Sequence, residues 1–205
     1  RSGFWIYDGY VKPLPSDVGD YVFQNINLDQ ASKVYAIHNS KFGEIWWFYT
    51  SVDNLENDSY VIYNYRENHW SLGTLARLSG VDKGVFSNPM MAGSDGYIYE
   101  HETGFLYDSG TIFAQSGPIE IGTGENIMQV RQVIPDETNL GDVAISFTSR
   151  LYPTGSETSY GPFTSANPTD ARFSGRQVKM KVTGDTLTDW RVGVMRLDAV
   201  TAGKR

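Results

Sequence analysis

No cysteine occurs in the chain, which removes disulfide frameworks, thiolate metal sites and cysteine nucleophiles together. Histidine is scarce as well. His38, His69 and His101 lie far apart, without the H-x-H, H-x-x-x-H or H-E-x-x-H spacing that brings two imidazoles onto one metal. The nucleophile pattern G-x-S-x-G and the phosphate loop ending in G-K-[ST] are missing. No apolar run approaches the roughly 20 residues that span a bilayer, and no charged-then-apolar segment opens the chain, so no membrane partner is expected. A basic excess is lacking too. The formal charge is −7, and the acid surplus lies in residues 1–110, with seven Lys/Arg against fourteen Asp/Glu; ten of each follow. A protein that grips duplex DNA through its phosphates needs the opposite balance.

What the chain has in abundance is aromatic residues, 14% of the total with thirteen tyrosines. They concentrate in short runs bounded by Asn, Asp and Ser, the pattern of strands and turns. Lys33–Asn39, Glu44–Ser51, Ser59–Tyr65 and His69–Thr74 predict four consecutive antiparallel strands, the size of one β-propeller blade. Trp46, Phe48 and Thr50 would face one way and Trp47, Tyr49 and Ser51 the other, which predicts burial on both faces. Before this unit, Gly3–Tyr7 reads as a strand, Asp8-Gly9 as a turn, Val11–Pro15 as extended chain, and Asp17–Asn25 as a short helix capped by Ser16.

A second blade-like unit is predicted from Gly84–Ser87, Pro89–Ala92, the turn Gly93–Gly96 and Tyr97–His101. Two blades cannot close a propeller; either any others would lie upstream in a longer polypeptide, or the sheets form an irregular sandwich. The opening Arg1, directly before a strand, supports the longer polypeptide, and the ending Gly-Lys-Arg reads as a natural terminus. After a connector at Thr103–Ser109 the strands lengthen and alternate cleanly, as in Asp142–Tyr152 and Gln177–Val182. With Pro118–Gly122, Asn126–Ile134 and Trp190–Val200 they predict a β-sandwich. The fold class is therefore all-β: blade-like antiparallel sheets over residues 1–110, a partial propeller, then a sandwich over 111–205.

Candidate chemistry is sparse. Glu44, Glu67, Glu100 and Glu102 supply carboxylates for a glycosidase pair, though strand-end acids are ordinarily solvated. His101 lies between Glu100 and Glu102, but strand alternation would put the two acids on the face opposite the imidazole. The loops Asp53–Asp58 and Ser94–Gly96 lack the regular oxygen spacing of a calcium loop, and Asn57-Asp58-Ser59 fits the glycosylation triplet. No catalytic, cofactor or metal residue is predicted. Tyr152–Asn167, rich in Pro, Gly, Ser and Thr, reads as a long loop in which Tyr160 and Phe163 are candidate partner contacts; Lys179 and Lys181 form a candidate basic strand edge. Trp47 and Trp70 are the candidates for stacking on a sugar ring.

The runs E-I-W-W-F-Y, N-D-S-Y-V-I-Y-N-Y-R-E-N-H-W-S-L-G-T-L-A-R, M-A-G-S-D-G-Y-I-Y-E-H-E-T-G and the ending F-S-G-R-Q-V-K-M-K-V-T-G-x(5)-W-R-V-G-V-M-R-L-D together resemble the C-terminal part of tail-nozzle, or packaged-DNA stabilisation, proteins of short-tailed phages and prophages. The resemblance runs from Phe4 to Arg205 and covers only part of such proteins, which are several times longer. It implies a propeller with added β-domains, assembled with other tail proteins as a homo-oligomeric ring that extends the DNA exit channel. It implies a virion location after synthesis in the bacterial cytoplasm, passage of DNA without sequence-specific binding, and no catalytic residue. A carbohydrate- or receptor-binding tail module is the alternative, followed by a glycan hydrolase.

Overall fold

A computed structural model describes residues 3–104, 111–135, 143–164, 168–184 and 190–204. The chain divides into two compact units, Arg1–Thr103 and Gly104–Arg205. Both are built of antiparallel sheets, and none of these closes into a barrel among the described residues. Most of the predicted connector, residues 105–109, lies outside the described residues.

The first unit begins with a hairpin of β1 (Phe4–Tyr7) and β2 (Val11–Leu14). The helix α1 spans Gly19–Asn25, starting two residues later than predicted, and a 3₁₀ helix follows over Leu28–Lys33. Ser16 Oγ accepts from the Val18 N–H (3.3 Å) instead of capping the helix. Then come β3 (Tyr35–Asn39), β4 (Glu44–Tyr49), β5 (Ser59–Asn64) and β6 (His69–Thr74), paired in sequence order. This meander is the predicted blade.

The centre of each face is dry, as the alternation required: Phe48 is 0% exposed and Tyr49, pointing the other way, 3%. On one face Tyr49 and Val61 pack with Val22 of α1, with Phe4, Val18, Ile26, Trp47 and Trp70 around them. On the other, Ile37 and Phe48 pack on Met91, flanked by Tyr35, Trp46, Tyr60 and Leu75. Met91 belongs to the second sheet, formed by β7 (Arg77–Val81), β8 (Met90–Gly93) and β9 (Ile98–Glu100). The strand predicted at Gly84–Ser87 is instead a run of bends, and Arg77–Val81 takes its place. Gly80 made that strand hard to read, yet it is required there. A Cβ on Gly80 would lie 2.8 Å from Ile37 and 3.0 Å from Met91, so its absence is what lets the two sheets approach.

The second unit is a sandwich. One sheet runs β10 (Phe113–Gln115), β15 (Gln177–Gly184), β12 (Val143–Arg150), β13 (Thr158–Thr164); the other runs β14 (Thr169–Gly175), β11 (Met128–Ile134), β16 (Arg196–Thr201). Met128, Val130, Val133, Ile145, Phe147, Ala171, Phe173 and Val178 fill the space between them. Along β12 buried and half-buried residues alternate without a break. In β11 the spacing of buried residues widens from two to three after Val130, where a bulge at Arg131 shifts the register against both neighbours. Of the predicted Pro118–Gly122 strand only the bridge Ile119 to Val178 forms.

The predicted loop Tyr152–Asn167 is a correction. Thr158–Thr164 is a strand paired with β12, and residues 165–167 lie outside the described residues. Gly161 (φ 107°) and Pro162 sit at a bulge between Tyr160 and Phe163 on the sheet edge, where the ladder tolerates both.

Phe48→Ala removes the side chain at the centre of one face of the blade and is expected to lower stability by about 3–5 kcal/mol. Chemical denaturation followed by tryptophan fluorescence measures this; a loss under about 1 kcal/mol would contradict the burial.

Candidate functional site

Polar groups in the first unit concentrate where β3 ends and turns into β4. Gly43 (φ 75°) closes the turn, its N–H donating to the Asn39 carbonyl (3.0 Å). The Arg66 guanidinium spans the outside, donating to the carbonyls of Ser40 (3.0 Å) and Lys41 (3.3 Å). His38 and Asn39, consecutive in β3, point to opposite faces. One is exposed and the other is 2% exposed.

On the exposed side, His38 lies between an acid and a phenol. Asp82 Oδ2 is 3.1 Å from Nδ1, and Tyr65 Oη is 3.0 Å from Nε2. Asp82 also accepts from the Ser40 N–H and Oγ–H (both 3.2 Å) and from the Lys83 N–H (2.7 Å). Partial burial would raise the Asp82 carboxyl, but the two Ser40 bonds, the Lys83 bond and His38 outweigh it and hold it below the usual range. A carboxylate that fixes an imidazole, whose far nitrogen meets a hydroxyl, is a geometry suited to moving a proton between the ring and the phenol. Here it also fastens the end of β3 to the segment following β7.

On the buried side, Asn39 Nδ2 donates to Glu102 Oε1 (3.1 Å) and, more weakly, to Glu44 Oε2 (3.4 Å). Trp46 Nε1 donates to the same Glu44 oxygen (2.9 Å), and Lys41 Nζ to the Glu102 main-chain oxygen (3.2 Å). Burial first, and the Glu44 charge second, push the Glu102 carboxyl above its ordinary value, with Lys41 and the Asn39 bond opposing. Glu100 and Glu102 do not share a face as predicted. β9 ends at Glu100, Glu102 has φ 63°, and this left-handed residue breaks the alternation. Glu100 is exposed and accepts from Asn88 Nδ2 (2.9 Å), while His101 Nε2 accepts from Arg77 Nε (3.0 Å).

The other candidate residues take structural places. Trp47 and Trp70 stack on each other (6.0 Å between ring centres) beneath Phe4, and Trp70 Nε1 donates to the Pro15 carbonyl (3.0 Å). Tyr160 stacks on Phe173 (4.8 Å) and Phe163 leans on Phe147 (6.1 Å), so both rings border the sandwich core. Lys179 and Lys181 lie on β15, which has a neighbour on each side and is not a sheet edge. Lys179 pairs with Glu157 (2.6 Å), and Lys181 sits over the Phe113 ring (4.0 Å). His69 and Glu67 are exposed.

Asp58 closes the 53–58 loop on itself, accepting from the Ser51 N–H and Oγ–H (both 2.8 Å), Asn54 Nδ2 (3.1 Å) and Ser59 Oγ (3.1 Å). Asp95 does the same for its turn, accepting from the Tyr97 N–H (3.1 Å) and the Tyr99 hydroxyl. Asn57, the acceptor of the glycosylation triplet, is 2% exposed and bonded to Thr50 and the Lys33 carbonyl. It is a core amide.

Asn39 and Asp82 were not singled out from sequence, and Tyr65 was read only as one of several rings that could stack on a sugar. His38 and Asn39 gave no motif because their partners arrive from distant strands. No protein-family model and no curated protein matches this chain.

Because Glu102 holds its proton more tightly folded than unfolded, it takes away stability as pH rises from its ordinary value of 4.5. In metal-free buffer, Glu102→Gln is expected to raise the thermal midpoint of the full chain at pH 7 and flatten its dependence on pH above 4.5. Scanning calorimetry across pH checks this, and an unchanged or lowered midpoint at pH 7 would refute it.

Proposed function

We propose that the chain is a structural component of a phage tail, a nozzle or hub segment that assembles with other copies and other tail proteins around the DNA exit channel. The observation that carries this reading is the distribution of aromatic residues. The blade consumes its own aromatic side chains in two cores. The hairpin β1–β2 beside it leaves Trp5 (50%), Tyr7 (74%), Tyr10 (66%) and Val11 (65%) exposed. Apolar groups gathered on one small two-stranded sheet are what an assembly contact needs.

The motif resemblance supplies the kind of assembly. The acid surplus of residues 1–110 supports passage of DNA, since a basic wall would hold the phosphates by counterion release. The sugar-binding alternative gains no support, because Trp47 and Trp70 spend their ring faces on each other and on Phe4.

Antibodies raised against the chain, applied to purified phage particles whose genome encodes it, are expected to place gold label at the tail end distal to the capsid. Label confined to another part of the particle, or its absence from particles, would sink the reading. Trp5→Asp combined with Tyr7→Asp is expected to leave the circular dichroism spectrum unchanged while blocking incorporation into tails in a complementation assay.

A further inference from the structure

The exposed side of the β3–β4 turn brings together groups from three separate segments: His38 in β3, Tyr65 directly after β5 and Asp82 directly after β7. Their order in space is acid, imidazole, phenol. Asp82 Oδ2 lies 3.1 Å from His38 Nδ1, and Tyr65 Oη lies 3.0 Å from Nε2. The charge on Asp82 decides which nitrogen carries the ring proton. Its partial burial is outweighed by the donors of Ser40 and Lys83 and by His38, so the carboxyl stays below its usual range and ionised. An ionised carboxylate can only accept. Nδ1 therefore donates to Asp82, and the neutral ring keeps its lone pair on Nε2, into which the Tyr65 hydroxyl donates.

A hydroxyl bonded to a base that a third group orients is the arrangement that activates a nucleophile. More exposed phenols of the chain lack it. Tyr7 and Tyr97 are 74% and 70% exposed against 43% for Tyr65, and neither hydroxyl is hydrogen-bonded among the described residues. The Tyr63 hydroxyl donates to the amide oxygen of Asn68 (3.0 Å), which is not a base. Other charged groups around the turn are directed elsewhere. Arg66 and Lys41 donate to main-chain oxygens, Lys83 meets Asp82 through its N–H, and Glu44 and Glu102 bond to Asn39 on the opposite side of β3.

We propose that Tyr65 is an activated nucleophile and a site of covalent modification that takes an acyl group from an activated ester, with His38 as its base and Asp82 as the positioning residue. Tyr65 Oη attacks the acyl carbonyl while His38 Nε2 takes the phenolic proton. The bond from the carbonyl carbon to the leaving oxygen breaks, the leaving group departs with that proton, and an ester of Tyr65 remains. This reactivity does not depend on the role in a phage tail.

The full chain is mixed with p-nitrophenyl acetate, acetylation of each tyrosine is followed by peptide mass spectrometry, and nitrophenolate release is recorded alongside. At pH 7, Tyr65 is expected to react at least about tenfold faster than Tyr7 and Tyr97, a lower bound on what a general base contributes. A phenol without a base reacts through its phenolate, so Tyr7 and Tyr97 should speed up about tenfold from pH 8 to pH 9, and Tyr65 clearly less. His38→Gln keeps an acceptor for the hydroxyl but no base, and should bring Tyr65 to the rate of Tyr97. Asp82→Asn should slow Tyr65, steepen its pH dependence to that of the free phenols, and move the ring proton from Nδ1 to Nε2, read from the nitrogen-15 shifts of the imidazole. Nitrophenolate release that depends on Tyr65 without accumulated acetyl also supports the proposal, as turnover of the ester. Tyr65 reacting no faster than Tyr7 and Tyr97, with release unchanged in Tyr65→Phe, would overturn it, and so would an unchanged Tyr65 rate in folded His38→Gln.

Discussion

The first unit is arranged by the need to keep the two central strands of an aromatic sheet dry on both faces. A sheet with one apolar face can leave the other to water, but Trp46, Phe48 and Tyr60 on one side and Trp47, Tyr49 and Trp70 on the other admit no wet face. Helix α1 and the first strand cover one side, and the sheet β7–β9 covers the other. The covering elements have little core of their own: of the large apolar side chains in α1 and β7–β9, only Val22 and Met91 are buried. Their positions are set by what they cover.

Polar contacts then fix the register of that packing. Hydrophobic burial is non-directional and would tolerate sliding of one sheet over another. The bonds from His38, Asn39 and Ser40 to Asp82 and Glu102 do not. They require particular atoms to meet, so three consecutive residues at the end of β3 locate the second sheet. The same three residues carry the unit's most concentrated chemistry. An imidazole clamped by an acid and a phenol lies outside, and two carboxylates on one amide lie inside. The Glu102 carboxyl is destabilised in its ionised form by burial and by the neighbouring Glu44.

Strand content was legible because period-two alternation and aromatic runs are local signals. The four strands of the blade, the first strand, and β12 and β15 in the sandwich were each read near their true bounds. Two of the missed strands share one cause. β7 carries Gly80 and β13 carries Gly161 and Pro162, residues that signal turns by local propensity. Their contexts reverse the meaning: close approach of Ile37 and Met91 needs a missing Cβ, and an edge-strand bulge accepts both a left-handed residue and a missing N–H. Tyr160 and Phe163 were assigned to a contact loop for that reason, when pairing with β12 turns them onto the sandwich core.

The amino-acid sequence by itself determined an all-β chain, a blade buried on both faces, a sandwich after it, and an acid surplus in the first half, since each depends only on residue type and spacing. Which polar residues meet was decided by tertiary structure alone. Glu44 and Glu102 stood among several strand-end acids with nothing local to pair them, and strand alternation would have placed Glu102 with Glu100. It is the left-handed backbone at Glu102, and the packing of the second sheet over Ile37 and Phe48, that bring those two carboxylates and Asn39 to one point. Long-range contacts of this kind are properties of a packed arrangement, and no local pattern encodes them.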